Sequence, residues 1–100
     1  MTYRKSDEAI ARLRACEADI RGLGATALFM FGSTARGEAA AASDVDLFVD
    51  YDPERFGLVE LVRLRDRLSK DLGVVADLTT RDGLHPRLRS AIEAEALKVI

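Results

Sequence analysis

Residues 27–47 run Ala27-Leu28-Phe29-Met30-Phe31-Gly32-Ser33-Thr34-Ala35-Arg36-Gly37-Glu38, then four alanines, then Ser43-Asp44-Val45-Asp46-Leu47. The apolar run Ala27 to Phe31 reads as a short strand buried on both faces. It hands over at Gly32-Ser33 to a short turn of helix, Thr34 to Gly37. A glycine there lets the backbone come close to a ligand. The amides that follow lie at a helix start, where phosphate binds readily. Ser33 adds a hydroxyl donor. Arg36, one helical turn on, can reach the same anion or pair with a carboxylate. Glu38 to Ser43 reads as a small-residue loop.

The stretch Asp44 to Asp50 alternates. Val45, Leu47 and Val49 face one way, and Asp44, Asp46, Phe48 and Asp50 the other. Asp44 and Asp46 should stand about 6.6–6.8 Å apart on one face, from the rise of a strand. Two carboxylates held together against a sheet repel each other and lose hydration unless a cation joins them. Magnesium suits such oxygens together with substrate phosphate. A pair of ions can hold the attacking and leaving oxygens of an in-line displacement. The bland alternative for an isolated Asp-x-Asp is a solvated strand face; the preceding Gly-Ser turn weighs against it. Asp77 lies in the core-like run Val74-Val75-Ala76-Asp77-Leu78. If that strand neighbours the first aspartates, Asp77 can join the metal site or take a proton from an attacking hydroxyl. Asp50, about 13 Å from Asp46 by strand rise, is too far to share its ion.

Outward from this centre, Ser6 to Ile20 has helical spacing, with Ser6 as cap, Asp7 and Glu8 in the first turn, and Ile10, Leu13, Cys16 and Ile20 as the buried stripe. Gly22 and Gly24 end it. Leu58 to Leu72 reads as a second amphipathic helix, with Leu58, Leu61, Val62, Leu68 and Leu72 on the apolar side and Gly73 as C-terminal cap. Arg63, Arg65 and Arg67 form a solvated face. Val74 to Thr79 is a third strand, with Val75, Asp77 and Thr79 on one face. Arg81 to Gly83 is a loop. A last helix runs from Pro86 to about Ala94, with His85 helping to start it. Leu97 to Ile100 supplies an edge strand. The expectation is an α/β (α+β) layer structure: one small sheet covered by helices, with residues 1–100 forming one domain.

The chain has 100 residues, a net charge of −2, one cysteine, 48% hydrophobic and 32% charged residues. These values fit a globular protein with a thin stability margin. The acidic balance disfavours binding to long nucleic acid. A lone cysteine suits a reducing compartment. With neither a signal-like start nor a membrane-spanning run, a cytoplasmic location is expected, with no membrane partner.

The motif Gly-Ser, ten intervening residues, then Asp-x-Asp resembles the minimal nucleotidyltransferase family of the polymerase-beta superfamily. Gly32-Ser33 is followed by residues 34–43 and then Asp44-Val45-Asp46, and the fuller forms Gly-Ser-x-Ala-Arg-Gly and Ser-Asp-x-Asp-Leu are also present. The resemblance spans nearly the whole chain. It implies a mixed sheet flanked by helices, magnesium, with two ions, and ATP or another nucleoside triphosphate as substrate. It implies that Gly32 and Ser33 hold the triphosphate and that Asp44, Asp46 and Asp77 bind metal and carry the chemistry. Arg36 matches the motif as a nucleotide-binding residue. The implied reaction is AMP transfer to a hydroxyl with release of pyrophosphate. Small members of the family serve as antitoxins beside a HEPN-type ribonuclease toxin, which they modify on tyrosine; a complex with such a partner is therefore expected. The alternatives are a non-catalytic binding antitoxin and a transferase for a small hydroxylated molecule. Retention of all three aspartates counts against the first, and the short length against the second.

Overall fold

The computed structural model describes residues 5–38 and 44–100. All but the first residue of the expected Glu38–Ser43 loop, with Ser43 of the motif, lies outside the described residues. Strand β1, Ala25–Phe31, pairs antiparallel with β2, Val45–Tyr51. Alternation sorts their side chains onto two faces. Leu28, Met30, Val45, Leu47 and Val49 are wholly buried in the main core. Phe29, Phe31, Asp46, Phe48 and Asp50 lie on the other face. The expectation of a β1 buried on both sides is therefore met fully on one face only, since Phe29 and Phe31 are half-buried.

After β2 the chain makes helix α4, Leu58–Leu72, and returns as β3, Ala76–Thr80, parallel to β2. A parallel pair needs such a crossover. Strand β4, Leu97–Lys98, pairs antiparallel with β1 on its other edge. The sheet order is β3-β2-β1-β4, a mixed sheet flanked by helices.

Helix α4 begins with the Glu60 carboxylate accepting the Gly57 amide at 2.8 Å. It ends at Gly73, whose positive φ of 72° suits a residue without Cβ. Its buried side is Leu64, Leu68 and Leu72. Leu58 and Val62, expected on that side, are instead 76% and 38% exposed. Ser69 ties the helix to β3: its hydroxyl donates to the Arg65 carbonyl and accepts from the Ala76 amide at 2.9 Å. That bond fixes the residue beside Asp77.

The expected helix over residues 6–20 is two helices, α1 Lys5–Arg14 and α2 Glu17–Gly22. The Cys16 amide donates to the Leu13 carbonyl, a tight i−3 bond that breaks the ladder. Arg14, at the break, donates to the Val99 carbonyl at 2.8 Å. Leu13 and Ile20 are both fully buried. Ser6 is buried inside α1 and does not cap it. Cys16 is half-buried, as the stripe implies, and its thiol donates to Asp71 at 2.9 Å. The carboxylate and burial push that thiol's pKa up, which makes it a poor nucleophile at neutral pH.

The last helix, α5, is Arg89–Glu95 and starts three residues later than expected. Residues 86–88 form a turn in which the His85 carbonyl accepts from the Leu88 and Arg89 amides. The expected loop 81–83 is a turn of 3-10 helix. Arg81, at its start, lies 4.9 Å over both the Phe29 and the Phe48 rings. Its guanidinium bonds both oxygens of Asp50, at 2.8 and 2.9 Å, and also Glu93. Arg81 thus holds α5 and the 3-10 turn against the sheet face opposite the main core. Arg81→Lys should lower stability by about 1–2 kcal/mol, because lysine cannot form the planar fork to Asp50 or stack as flatly on two rings. A denaturant titration checks this, and a loss no larger than that of a surface Arg→Lys control would contradict it.

Candidate active site

Three chain segments meet at one end of the sheet: the end of β1, the start of β2 and the start of β3. Asp46 is the register partner of Phe31 on β1 and of Asp77 on β3. Neighbouring strands stand about 4.8 Å apart, so the two aspartates leave the same face side by side. Asp44 precedes β2 and is exposed, as is Asp77; Asp46 is partly buried. Burial is the main cause of a raised pKa at Asp46, with the Asp77 and Asp44 carboxylates adding to it and Arg36 opposing it. The chain has therefore placed a desolvated carboxylate beside two others, an arrangement in which the ionised form is costly and nearby positive charge is favoured.

Among the described residues no three ligating side chains are drawn together closely enough to enclose an ion by themselves. The donor set is all carboxylate oxygen, on adjacent strand ends. That is the chemistry of a hard divalent cation whose remaining positions are filled by substrate and water.

Gly32 closes β1 and opens the one-turn helix α3, Gly32–Ala35, which starts two residues earlier than expected. Its φ is +73°, and a Cβ built on it would collide with Oδ2 of Asp46 and lie 3.2 Å from Cγ. Gly32 is thus needed twice, for its left-handed backbone and for the space it leaves to the aspartate. A single turn sums few peptide dipoles. An anion at this turn would be held by individual donors, with little help from a helix field. Ser33 follows at once and is half-buried. Arg36 is exposed and pairs with Glu38 at 3.0 Å and Glu95 at 3.3 Å.

Of the residues singled out from the sequence, Gly32, Ser33, Asp46 and Asp77 are gathered at this end of the sheet, with Asp44 at its lip and Arg36 on the adjoining surface. Asp50 is separate, committed to Arg81. Arg63, Arg65 and Arg67 are all exposed, as expected, and Arg67 also pairs with Asp19 and Asp71. Sequence reading missed Glu95, whose Oε1 accepts the Gly32 amide at 3.2 Å. The only signal available was an acidic residue just before the edge strand.

The fold and this carboxylate-lined turn define a nucleotidyltransferase. The family model for the nucleotidyltransferase domain matches residues 12–99. A protein of Methanocaldococcus jannaschii assigned as a protein adenylyltransferase is 39% identical over 71 residues, which is 71% of this chain and 75% of that protein. The protein adenylyltransferase MntA of Thermococcus cleftensis is 34% identical over 70 residues, 70% of each chain. A solved structure described as a minimal nucleotidyltransferase superposes with a TM-score of 0.70 at 39% identity, covering 88% of this chain and 93% of that one. A toxin–antitoxin structure with AMP-PNP shares the fold, with a TM-score of 0.69 at 17% identity over 87% of this chain and 72% of that one. The chain belongs to the nucleotidyltransferase domain family, among its minimal members. No helix among the described residues is long and apolar enough to cross a membrane.

Proposed function

We propose that this nucleotidyltransferase moves AMP from ATP to a hydroxyl, that of a tyrosine, on a partner protein, and that the partner is a HEPN-type toxin. The observation that carries the chemistry is the in-register pairing of Asp46 with Asp77 beside the Gly32 turn. Asp44, Asp46 and Asp77 would hold magnesium, which would neutralise the triphosphate and the negative charge that develops on the oxygens around the α-phosphorus. Ser33 and the amides after it grip the triphosphate, and Gly32 lets it approach. Asp77, exposed at the outer strand, accepts the proton of the attacking hydroxyl. The new O–P bond forms at the α-phosphorus as the bond to the β-phosphate oxygen breaks and pyrophosphate leaves. The rate gain comes from positioning and from charge placed in advance.

The choice of a protein acceptor is supported by relatives whose names carry protein adenylyltransferase. The choice of a toxin is supported by the toxin–antitoxin structure of the same fold. The test is intact mass of the protein encoded beside this one after incubation with this chain, ATP and magnesium. A gain of one or more AMP units on a tyrosine is expected. An unmodified partner in a tight complex would show neutralisation by binding alone. Modification of a hydroxylated small molecule with no protein acceptor would show the other alternative.

Nucleotide binding has a consequence for stability. Magnesium with ATP at about 100 times its dissociation constant should raise unfolding free energy by roughly 2.7 kcal/mol, since only the folded state has the site. A thermal-shift titration reads this, and a midpoint unmoved by both together would contradict nucleotide binding.

A further inference from the structure

We infer that Glu95, at the C-terminal end of α5, is a positioning residue for the nucleotide, acting through Gly32 and Arg36. This rests on the nucleotidyl-transfer reading of the site. The β1–β4 ladder stops at the pairing of Met30 with Leu97. Two residues further along the chain, just past the end of β1, the Glu95 side chain accepts from the main chain instead. Its Oε1 accepts from the Gly32 amide at 3.2 Å and from Arg36 Nη1 at 3.3 Å, and its Oε2 lies 3.4 Å from the same Nη1. One carboxylate thus clamps the first residue of the turn and the arginine of the motif. Asp46 abuts Gly32 on the sheet face, where a Cβ would sit. Glu95 holds it from the β4 side.

Two consequences follow for the site. Gly32 spends its own N–H on Glu95, so what it offers the nucleotide is space; the gripping donors are Ser33 and the amides after it. Arg36, being exposed and on a flexible stem, would otherwise sample many rotamers. Bracketed by Glu95 and Glu38, it is held over the turn. The ion pair contributes little to stability at this exposure, so its effect should appear in nucleotide affinity.

The experiment compares wild type, Glu95→Ala and Glu95→Gln, titrating each with ATP and magnesium and following transfer kinetics, thermal midpoint and hydrogen exchange at the Gly32 amide. In Glu95→Ala the dissociation constant and KM for ATP should rise roughly tenfold, the size of one charge-assisted hydrogen bond, with kcat changing much less. The Gly32 amide should exchange faster and the midpoint should scarcely move. Glu95→Gln keeps an acceptor for that amide and should recover much of the affinity. Unchanged ATP affinity in Glu95→Ala, beside a wild type that binds and transfers, would overturn the proposal. So would a parallel fall in kcat, affinity and midpoint that Gln does not rescue. A wild type that binds no ATP would sink the nucleotidyl-transfer reading instead. Even then, Gly32 protection unchanged in Glu95→Ala would overturn the clamp itself.

Discussion

Asp46→Asn should abolish nucleotidyl transfer, by more than about a thousandfold, while leaving the nucleotide-free protein at least as stable as the wild type. The two halves of this result come from one cause. Asp46 is the most enclosed of the three carboxylates, and burial together with Asp77 and Asp44 raises its pKa above the ordinary 3.8. A carboxyl that binds its proton more tightly in the folded state stabilises the fold below its unfolded pKa. That contribution is lost as pH rises through the folded value. Once ionised, Asp46 is therefore a strain on the metal-free protein, and the neutral amide of asparagine relieves it. The difference in thermal midpoint between variant and wild type should widen in the variant's favour as pH rises from about 4 toward neutrality. Magnesium should then close the gap by stabilising the wild type only. A variant less stable than wild type across this range, without magnesium, would show that Asp46 supports the fold and that the charge argument is wrong.

Gly32→Ala should cost activity by more than about a hundredfold and stability by about 1–2 kcal/mol. The stability term is the left-handed backbone at φ +73°. The activity term is steric. The colliding atom is the far end of the Asp46 side chain, which can rotate away cheaply, but doing so takes the carboxylate off its alignment with Asp77. Gly73→Ala is the natural control. It has nearly the same φ, +72°, and nothing within 4 Å of a built Cβ. It should lose comparable stability and keep activity. Equal activities in the two variants would mean that the Gly32–Asp46 approach has no catalytic importance.

Much of the fold was legible because the signals were local. Helix α4 follows from the spacing of Leu61, Leu68 and Leu72 and from the stop at Gly73, and its bounds were read correctly. The strand carrying Asp46 follows from alternation alone. What could not be read was set by partners distant in the chain. The break at Ala15–Cys16 interrupts no periodicity; Arg14 reaching the Val99 carbonyl accompanies it. Leu58 and Val62 have the right spacing for burial, but which part of that stripe meets the core depends on the path of the crossover. The Asp46–Asp77 register depended on β2 and β3 being parallel neighbours, which the sequence left as a condition. Glu95 and Arg81 were least legible of all, since a charged residue on a short helix or turn looks solvated until the element it faces is known.

The most direct test of the central claim is to present the partner with ATP labelled either at the α- or at the γ-phosphate, with magnesium, and to follow label and released product together. Transfer at this site predicts α-label on the acceptor, γ-label in free pyrophosphate, and neither outcome with Asp46→Asn. The γ-label on the acceptor, or free phosphate as the product, would mean that the carboxylates serve phosphoryl transfer or hydrolysis, and the assignment of Asp44, Asp46 and Asp77 to attack at the α-phosphorus would fall.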